Sequence, residues 1–287
     1  MNLCTYLRAD GAARAGVWTD RGIVDLQAAD RSLPDSLIAL LALGDEGLAQ
    51  ARAAADAAPE GAFARRDGVR LLPPIPNPAK IVCIGLNYRD HAAEVKLPLP
   101  ESLAVFAKWP NTLIGDGEEI VIPPESHRVD YEAELAFVIG RRARRVTEAD
   151  ALQYVAGYTC FNDVSVRDYQ MRTSQWTMGK VFDTHGPCGP VLVTRDAIAD
   201  PQALRIRTTI GDEVLQNSST SEMVFGVARI IAELSAVMTL EPGDIVATGT
   251  PAGVGTSRNP RRWIKPGERV RVEIEGIGVL ENPAVAR

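Results

Sequence analysis

The stretch Asp130-Tyr-Glu-Ala-Glu-Leu-Ala-Phe-Val-Ile-Gly140 leads from alternating acids into an apolar, branched run. That content predicts a strand, and a strand sends alternate side chains to one face. Glu132 and Glu134 then point the same way, with Asp130 two residues before them, while Phe137, Val138 and Ile139 demand burial. Shorter strands are predicted at 3–7, 22–26, 80–85, 105–108, 119–122, 157–162 and 273–280, and a Gly211-Asp212 hairpin joins 205–210 to 213–216. Helical patterns cover 36–43, 45–58, 87–94 and 164–171, and Thr147 fits the N-cap of a further helix reaching Ala156. The longest helix is predicted from Thr220 or Ser221 to about Met238, with Val224, Ala228, Ile231 and Leu234 as its buried stripe. Residues 181–193, broken by two Gly-Pro pairs, read as a loop followed by a strand.

The run Pro73-Pro-Ile-Pro-Asn-Pro78 predicts a stiff extended connector, because proline fixes φ and disfavours helix before it. It divides a small N-terminal α/β domain, 1–72, from a larger domain, 73–287, that carries every chemistry-bearing cluster. With 24 glycines and 19 prolines the class is α+β and β-rich. A net charge of −6 argues against tracking a phosphate backbone, so no nucleic-acid partner is expected. No apolar run is long enough to span a membrane, and the first residues lack the basic start and apolar core of a secretory signal. Cys4, Cys83, Cys160 and Cys188 form no Cys-x-x-Cys pair and read as small buried hydrophobes in a reducing cytoplasm.

Two carboxylates on one strand face repel unless a positive charge sits between them. A hard divalent cation is one solution, and a half-exposed strand with both glutamates in water is another. Downstream, Asn162-Asp163-Val-Ser-Val-Arg167-Asp168-Tyr-Gln170 supplies a third carboxylate, followed by Lys180 and by Thr248-Gly-Thr-Pro-Ala-Gly-Val-Gly255. Upstream, Gly85-Leu-Asn-Tyr-Arg-Asp-His91-Ala-Ala-Glu94 places His91 one helical turn from Glu94. A carboxylate partner fixes the tautomer of an imidazole and raises its basicity, which suits a general base. His127 and His185 have no such partner and read as structural.

Taken together and in this order, these segments resemble the fumarylacetoacetate hydrolase family, from about Lys80 to the C-terminus. The resemblance implies a mixed, bent β-roll, a homodimer, and a Mg²⁺ or Mn²⁺ ion held by Glu132, Glu134 and Asp163, with Asp130 as a further ligand or a supporting residue. It places His91 and Glu94 on a lid over the substrate and makes Lys180 a substrate contact. Gln170, Thr250 and Arg89 are assigned to substrate binding, and Arg167 is expected to pair with Asp168. The hydrolase that names the family uses an arginine nine residues past its lid histidine; Pro100 stands there here, which implies a different substrate. The implied reaction is metal-dependent hydrolysis of a C–C bond in a 2,4-dioxo acid of the acylpyruvate kind. Decarboxylation of oxaloacetate-like acids and isomerisation of hydroxymuconate-type acids use the same site without the water. A non-catalytic metal-dependent binding protein is the reading from another class, and a binding protein has no need of the His91–Glu94 base. Gly249–Gly255 lacks the lysine of a P-loop, so no nucleotide is implied.

Overall fold

A computed structural model describes residues 1–8, 10–66 and 69–287. A mixed sheet of twelve strands forms its centre, and a five-stranded sheet packs on one face, so the α+β, β-rich class expected from the chain holds. The central strand is Ala133–Ile139, buried at every residue. It is hydrogen-bonded to Val155–Asn162 on one side and to Ile245–Ala247 on the other.

Both faces of this strand are covered, which is why the polar alternation of its first residues gives way to an unbroken apolar run. Leu135, Phe137 and Ile139 pack with Ile206, Val272 and Ile274 of the five-stranded sheet and with Ile230, Ile231 and Leu234 of helix Val227–Val237. Ala136 and Val138 pack on the opposite side with Leu37, Leu40 and Ala51, from helices Leu37–Ala42 and Gly44–Asp56. The N-terminal strand Asn2–Leu7 pairs with Gly186–Thr194, so the large sheet runs on into the segment before the proline run. No helix among the described residues is long and apolar enough to cross a membrane. The four cysteines are buried and free.

Several elements differ from the sequence-based expectation, each where a long-range partner overrides a local pattern. The helix expected after Thr147 is a single 3₁₀ turn, Ala151–Tyr154, because residues from Val155 onward are claimed by the strand Val155–Asn162. Thr147 still accepts from Asp150 N–H at 3.3 Å, but the turn goes no further. The helix expected from 220 begins at Val227. The backbone before it bonds instead to Asn87, whose carbonyl accepts from Val224 N–H at 2.7 Å. The helix expected over 164–171 shrinks to Arg167–Gln170, since Ser165–Val166 pairs with Val129–Asp130. The strand Gly186–Thr194 runs through both Gly-Pro pairs where a loop is expected. The strand expected at 273–280 straddles the turn of a hairpin between Arg269–Ile274 and Gly278–Ala286. The strand Ala13–Thr19, unmarked by any clear alternation, is an addition.

His185 has the structural role expected of it. It is fully buried, its ring stacks on Phe182, and Nε2 lies 2.9 Å from the carbonyl of Val121. A carbonyl only accepts, so Nε2 carries the proton, and Nδ1 has no partner. Charging the ring would bury an unpaired N–H, and burial lowers its pKa to about 4. The unfolded chain takes up a proton near 6.5, which the folded chain refuses until about 4, so stability falls as pH drops through that window. His185→Gln, which keeps a donor for Val121, should remove this component. Urea unfolding at pH 7.5 and pH 5 should show the wild type losing about 2 kcal/mol more than the variant. Equal losses would place the acid sensitivity elsewhere.

Candidate active site

The site begins where the central strand begins. Glu134 lies in that strand, on the face it shares with Ala136 and Val138, and Glu132 stands just before it. Pairing of Ala133 with Asn162 carries the next strand alongside, and Asp163 follows at its end. Asp163 N–H donates to the Glu132 carbonyl at 2.9 Å, and Glu132 N–H donates to Asn162 Oδ1 at 3.0 Å, so backbone bonds hold the two acids together. The result is a group of three buried carboxylates, each offering an oxygen within 4.8 Å of the others. Glu132 is 6% exposed and Glu134 is 1% exposed, which rules out the reading with both in water.

Three cations answer these acids unevenly. Lys180 Nζ bridges Glu132 Oε2 at 2.6 Å and Asp163 Oδ2 at 2.7 Å. Lys108, fully buried, reaches Asp163 Oδ1 at 2.8 Å. Arg167 spans Glu132 and Asp130, each at 2.7 Å. Burial alone would raise the Glu132 pKa, but the charges of Arg167 and Lys180 prevail and hold it at about 2. Among the described residues Glu134 receives only the N–H of Gly249, at 2.8 Å. Burial, then the charges of Asp163 and Glu132, push its carboxyl well above the usual range. Gly249 supplies that contact at φ +97°, where a Cβ would press on Asn87 and on the Ile84 carbonyl at 2.9 Å.

A cavity of about 510 Å³ opens above the acids, with Glu132, Glu134, Arg167, Gln170 and Thr250 in its wall beside His91. His91 Nδ1 lies 3.0 Å from Glu94 Oε2, so Nδ1 donates and Nε2 keeps its lone pair. Glu94 Oε1 accepts from Gly253 N–H at 2.9 Å, within the glycine-rich turn that also carries Thr250. Burial would raise the Glu94 pKa, but the bonds from His91 and Gly253 prevail and lower it. Helix Arg89–Glu94 is moored at two further points. Arg89 donates to the carbonyls of Met223 at 2.9 Å and Ser221 at 3.2 Å, and Asp90 accepts from Ser218 at 2.6 Å.

The structure therefore gathers Glu132, Glu134, Asp163, His91, Glu94, Gln170 and Thr250 around one site, and gives Arg89, Lys180 and Arg167 partners other than those expected. Arg89 does not line the cavity; it anchors the helix that presents His91. Lys180 is close to the acids but buried behind them, with its ammonium occupied by two carboxylates. Asp130 is outside the triad, taken up by Arg167 and by the N–H groups of Gly255 at 2.7 Å and Thr256 at 3.0 Å. Arg167 pairs with Asp130 and Glu132 rather than Asp168, which accepts from Ser126 at 2.6 Å.

Two buried residues were not singled out from the sequence. Lys108 shares a strand face with Phe106, an alternation that could have shown it pointing inward. Gln216 accepts from Ala133 N–H and donates to Thr250 Oγ1 at 2.8 Å, joining the central strand to the glycine-rich turn; no local pattern marks it.

The residues present fit a divalent cation. Four buried carboxylates, counting Asp130, face three cations, and the unanswered charge is on Glu134, an edge of the triad open to the cavity. Hard dications take such oxygens, and the open side leaves room for water or a substrate oxygen.

A family model described as Fumarylacetoacetate (FAA) hydrolase C-terminal matches residues 80–285. A curated relative, the mitochondrial oxaloacetate tautomerase fahd2 of Xenopus laevis, is 45% identical over 99% of this chain and 90% of its own. A solved fumarylacetoacetate hydrolase from Exiguobacterium antarcticum superposes with a TM-score of 0.87 at 37% identity, covering all of both chains. The maleylpyruvate hydrolase of Sphingobium sp. SYK-6, solved with manganese(II) and pyruvate, gives 0.82 at 31% identity over 100% of this chain and 99% of its own.

Adding Mn²⁺ at about a hundredfold its Kd should raise the Tm by roughly 4–5 °C. Glu134→Gln, which relieves like-charge repulsion and keeps the shape, should fold at least as well and lose most of that rise. An equal rise in the variant would place the ion outside the triad.

Proposed function

The chain belongs to the fumarylacetoacetate hydrolase family, and on that premise we propose a metal-dependent enzyme that moves a proton on the enol of an oxaloacetate-type 2-keto acid. The observation that carries this reading is the His91–Glu94 pair, moored to Gly253, with His91 in the wall of a cavity that Glu132 and Glu134 of the acidic triad also line. Glu132, Glu134 and Asp163 would hold Mg²⁺ or Mn²⁺. When bound, such an ion draws negative charge onto the oxygens of a 2-keto acid and so acidifies the adjoining carbon.

The chain's own residues supply the proton transfer. His91 Nε2, left with its lone pair because Nδ1–H is engaged by Glu94, takes the proton from C3 of the keto form. It delivers that proton to the enolate oxygen on C2, and in the reverse direction carries the enol proton from that oxygen back to C3. Glu94 stabilises the imidazolium between the two events and keeps the ring in one orientation. Arg167 donates from one nitrogen to Gln170 Oε1 at 2.9 Å, which leaves the Gln170 amide N–H₂ free for a substrate oxygen. Val95, Phe106 and Trp176 line the cavity and limit water around the enol.

The C–C hydrolysis favoured from the sequence becomes the second reading. It uses the same base to activate water, and the likeness to maleylpyruvate hydrolase supports it. It also needs a donor for the oxyanion formed at the 4-carbonyl, and the lysine proposed for that task is buried with its charge committed to Glu132 and Asp163. Tautomerisation needs no such donor, and the more similar, nearly full-length relative bears that name.

Following the decay of enol oxaloacetate with Mg²⁺ present should show His91→Gln losing about 10²–10⁴ in kcat while Mn²⁺ binding persists. Glu94→Gln should lose less. A wild type that cleaves acylpyruvates and leaves the oxaloacetate tautomers at their spontaneous rate would put hydrolysis first.

A further inference from the structure

Deep in the cavity, acids and their cations are matched to one end of a small acid, and the rest of the wall, with Gln170, Thr250 and Thr256 as its polar members, offers neutral groups but no cation to a second carboxylate. The loop after the His91 helix adds only Val95 and Leu97 to the lining, and Lys96 between them is not part of it. Positive charge comes instead from the solvent-facing rim, where Arg128 and Arg261 line the same cavity.

Neither guanidinium has an ion pair or a side-chain hydrogen bond among the described residues. Their neighbours are different. Arg258 and Arg262 both pair with Glu213, at 3.7 Å and 3.0 Å, and Arg262 also pairs with Glu268 at 2.8 Å. The backbone carrying the two rim arginines is fixed. The Arg128 carbonyl accepts from Arg167 N–H at 3.0 Å, which ties it to the residue bridging Asp130 and Glu132. Ile264 N–H donates to the Val129 carbonyl at 2.9 Å, joining the Arg261 loop to the Arg128 strand. Two held, unpaired positive groups on one rim create a potential that attracts an anion, and guanidinium suits a carboxylate in geometry.

We propose that Arg128 and Arg261 bind the distal carboxylate of the substrate and so select keto diacids over keto monoacids. This rests on the reading that the 2-keto acid end lies at the triad. It adds a specificity device on a different part of the cavity, and it involves no residue of the proton transfer.

The test uses the full chain loaded with Mg²⁺, with Arg128→Met, Arg261→Met and the double variant. Calorimetry would measure Kd for pyruvate and for α-ketoglutarate, a stable keto diacid, and KM for oxaloacetate would be measured alongside. The double variant should weaken the diacid by roughly 10- to 100-fold, as expected for lost charge-assisted bonds. Pyruvate should move less than twofold, and the salt dependence of diacid binding should flatten. Arg128→Lys should restore part of the loss. Equal weakening of both acids would mark a structural role and overturn the proposal, as would a wild type that binds both acids alike or a double variant with unchanged diacid affinity. If the wild type fails to interconvert oxaloacetate tautomers but still prefers the diacid through these arginines, the tautomerase reading falls and the rim assignment stands.

Discussion

The structure depends on an imbalance of buried charge at the start of the central strand. Glu132, Glu134, Asp163 and Asp130 are brought together by strand pairing, and Lys108, Lys180 and Arg167 neutralise three of the four. Bringing carboxylates out of water is costly unless each is answered, and truncating one partner of such a set leaves an uncompensated charge. The cations therefore do two things. They make the fold tolerable, and by favouring Glu132 and Asp163 over Glu134 they leave the deficit at the cavity's edge. A dication placed there would answer that deficit, which is the basis of the proposed binding of an anionic keto acid.

The scaffold around this cluster is rigid in the right places. The central strand is sealed on both faces, so Glu134 projects from a backbone with no freedom to move. The Gly249–Gly255 turn is tied to that strand through Gln216, and its N–H groups reach both Glu134 and Glu94. Glu134 and the His91–Glu94 pair are thus positioned by one piece of backbone. A shift of that turn would disturb Glu134 and the His91–Glu94 pair together, which is the kind of shared support that a preorganised site requires.

Much of this was legible in the chain. Alternation placed Glu132 and Glu134 on one side of a strand, and the i, i+3 spacing of His91 and Glu94 gave a pair that the structure closes to 3.0 Å. The illegible parts are contacts made across long sequence distances. Arg167 reads locally as a partner for its neighbour Asp168, yet pairing of Val129 with Val166 delivers it to Asp130, and nothing near Arg167 announces that pairing. Lys180 reads as free to meet substrate until two acids from other strands are seen to hold it. The failed helix after Thr147 has the same cause: a local cap was present, but Val155 had a place in the sheet. Arg128 and Arg261 carry no motif, and only the shared cavity relates them.

The central claim is that the triad's unanswered charge makes acid binding depend on a dication. Oxalate, which mimics the 2-keto acid end alone, tests this without any turnover. Titrated calorimetrically into chelator-stripped protein and into protein saturated with Mn²⁺, it should bind at least about a hundredfold more tightly with the ion, and by linkage oxalate should tighten Mn²⁺ by the same factor. Oxalate that binds with equal affinity in both cases would contradict the account, because the acids, lysines and arginine would then suffice by themselves.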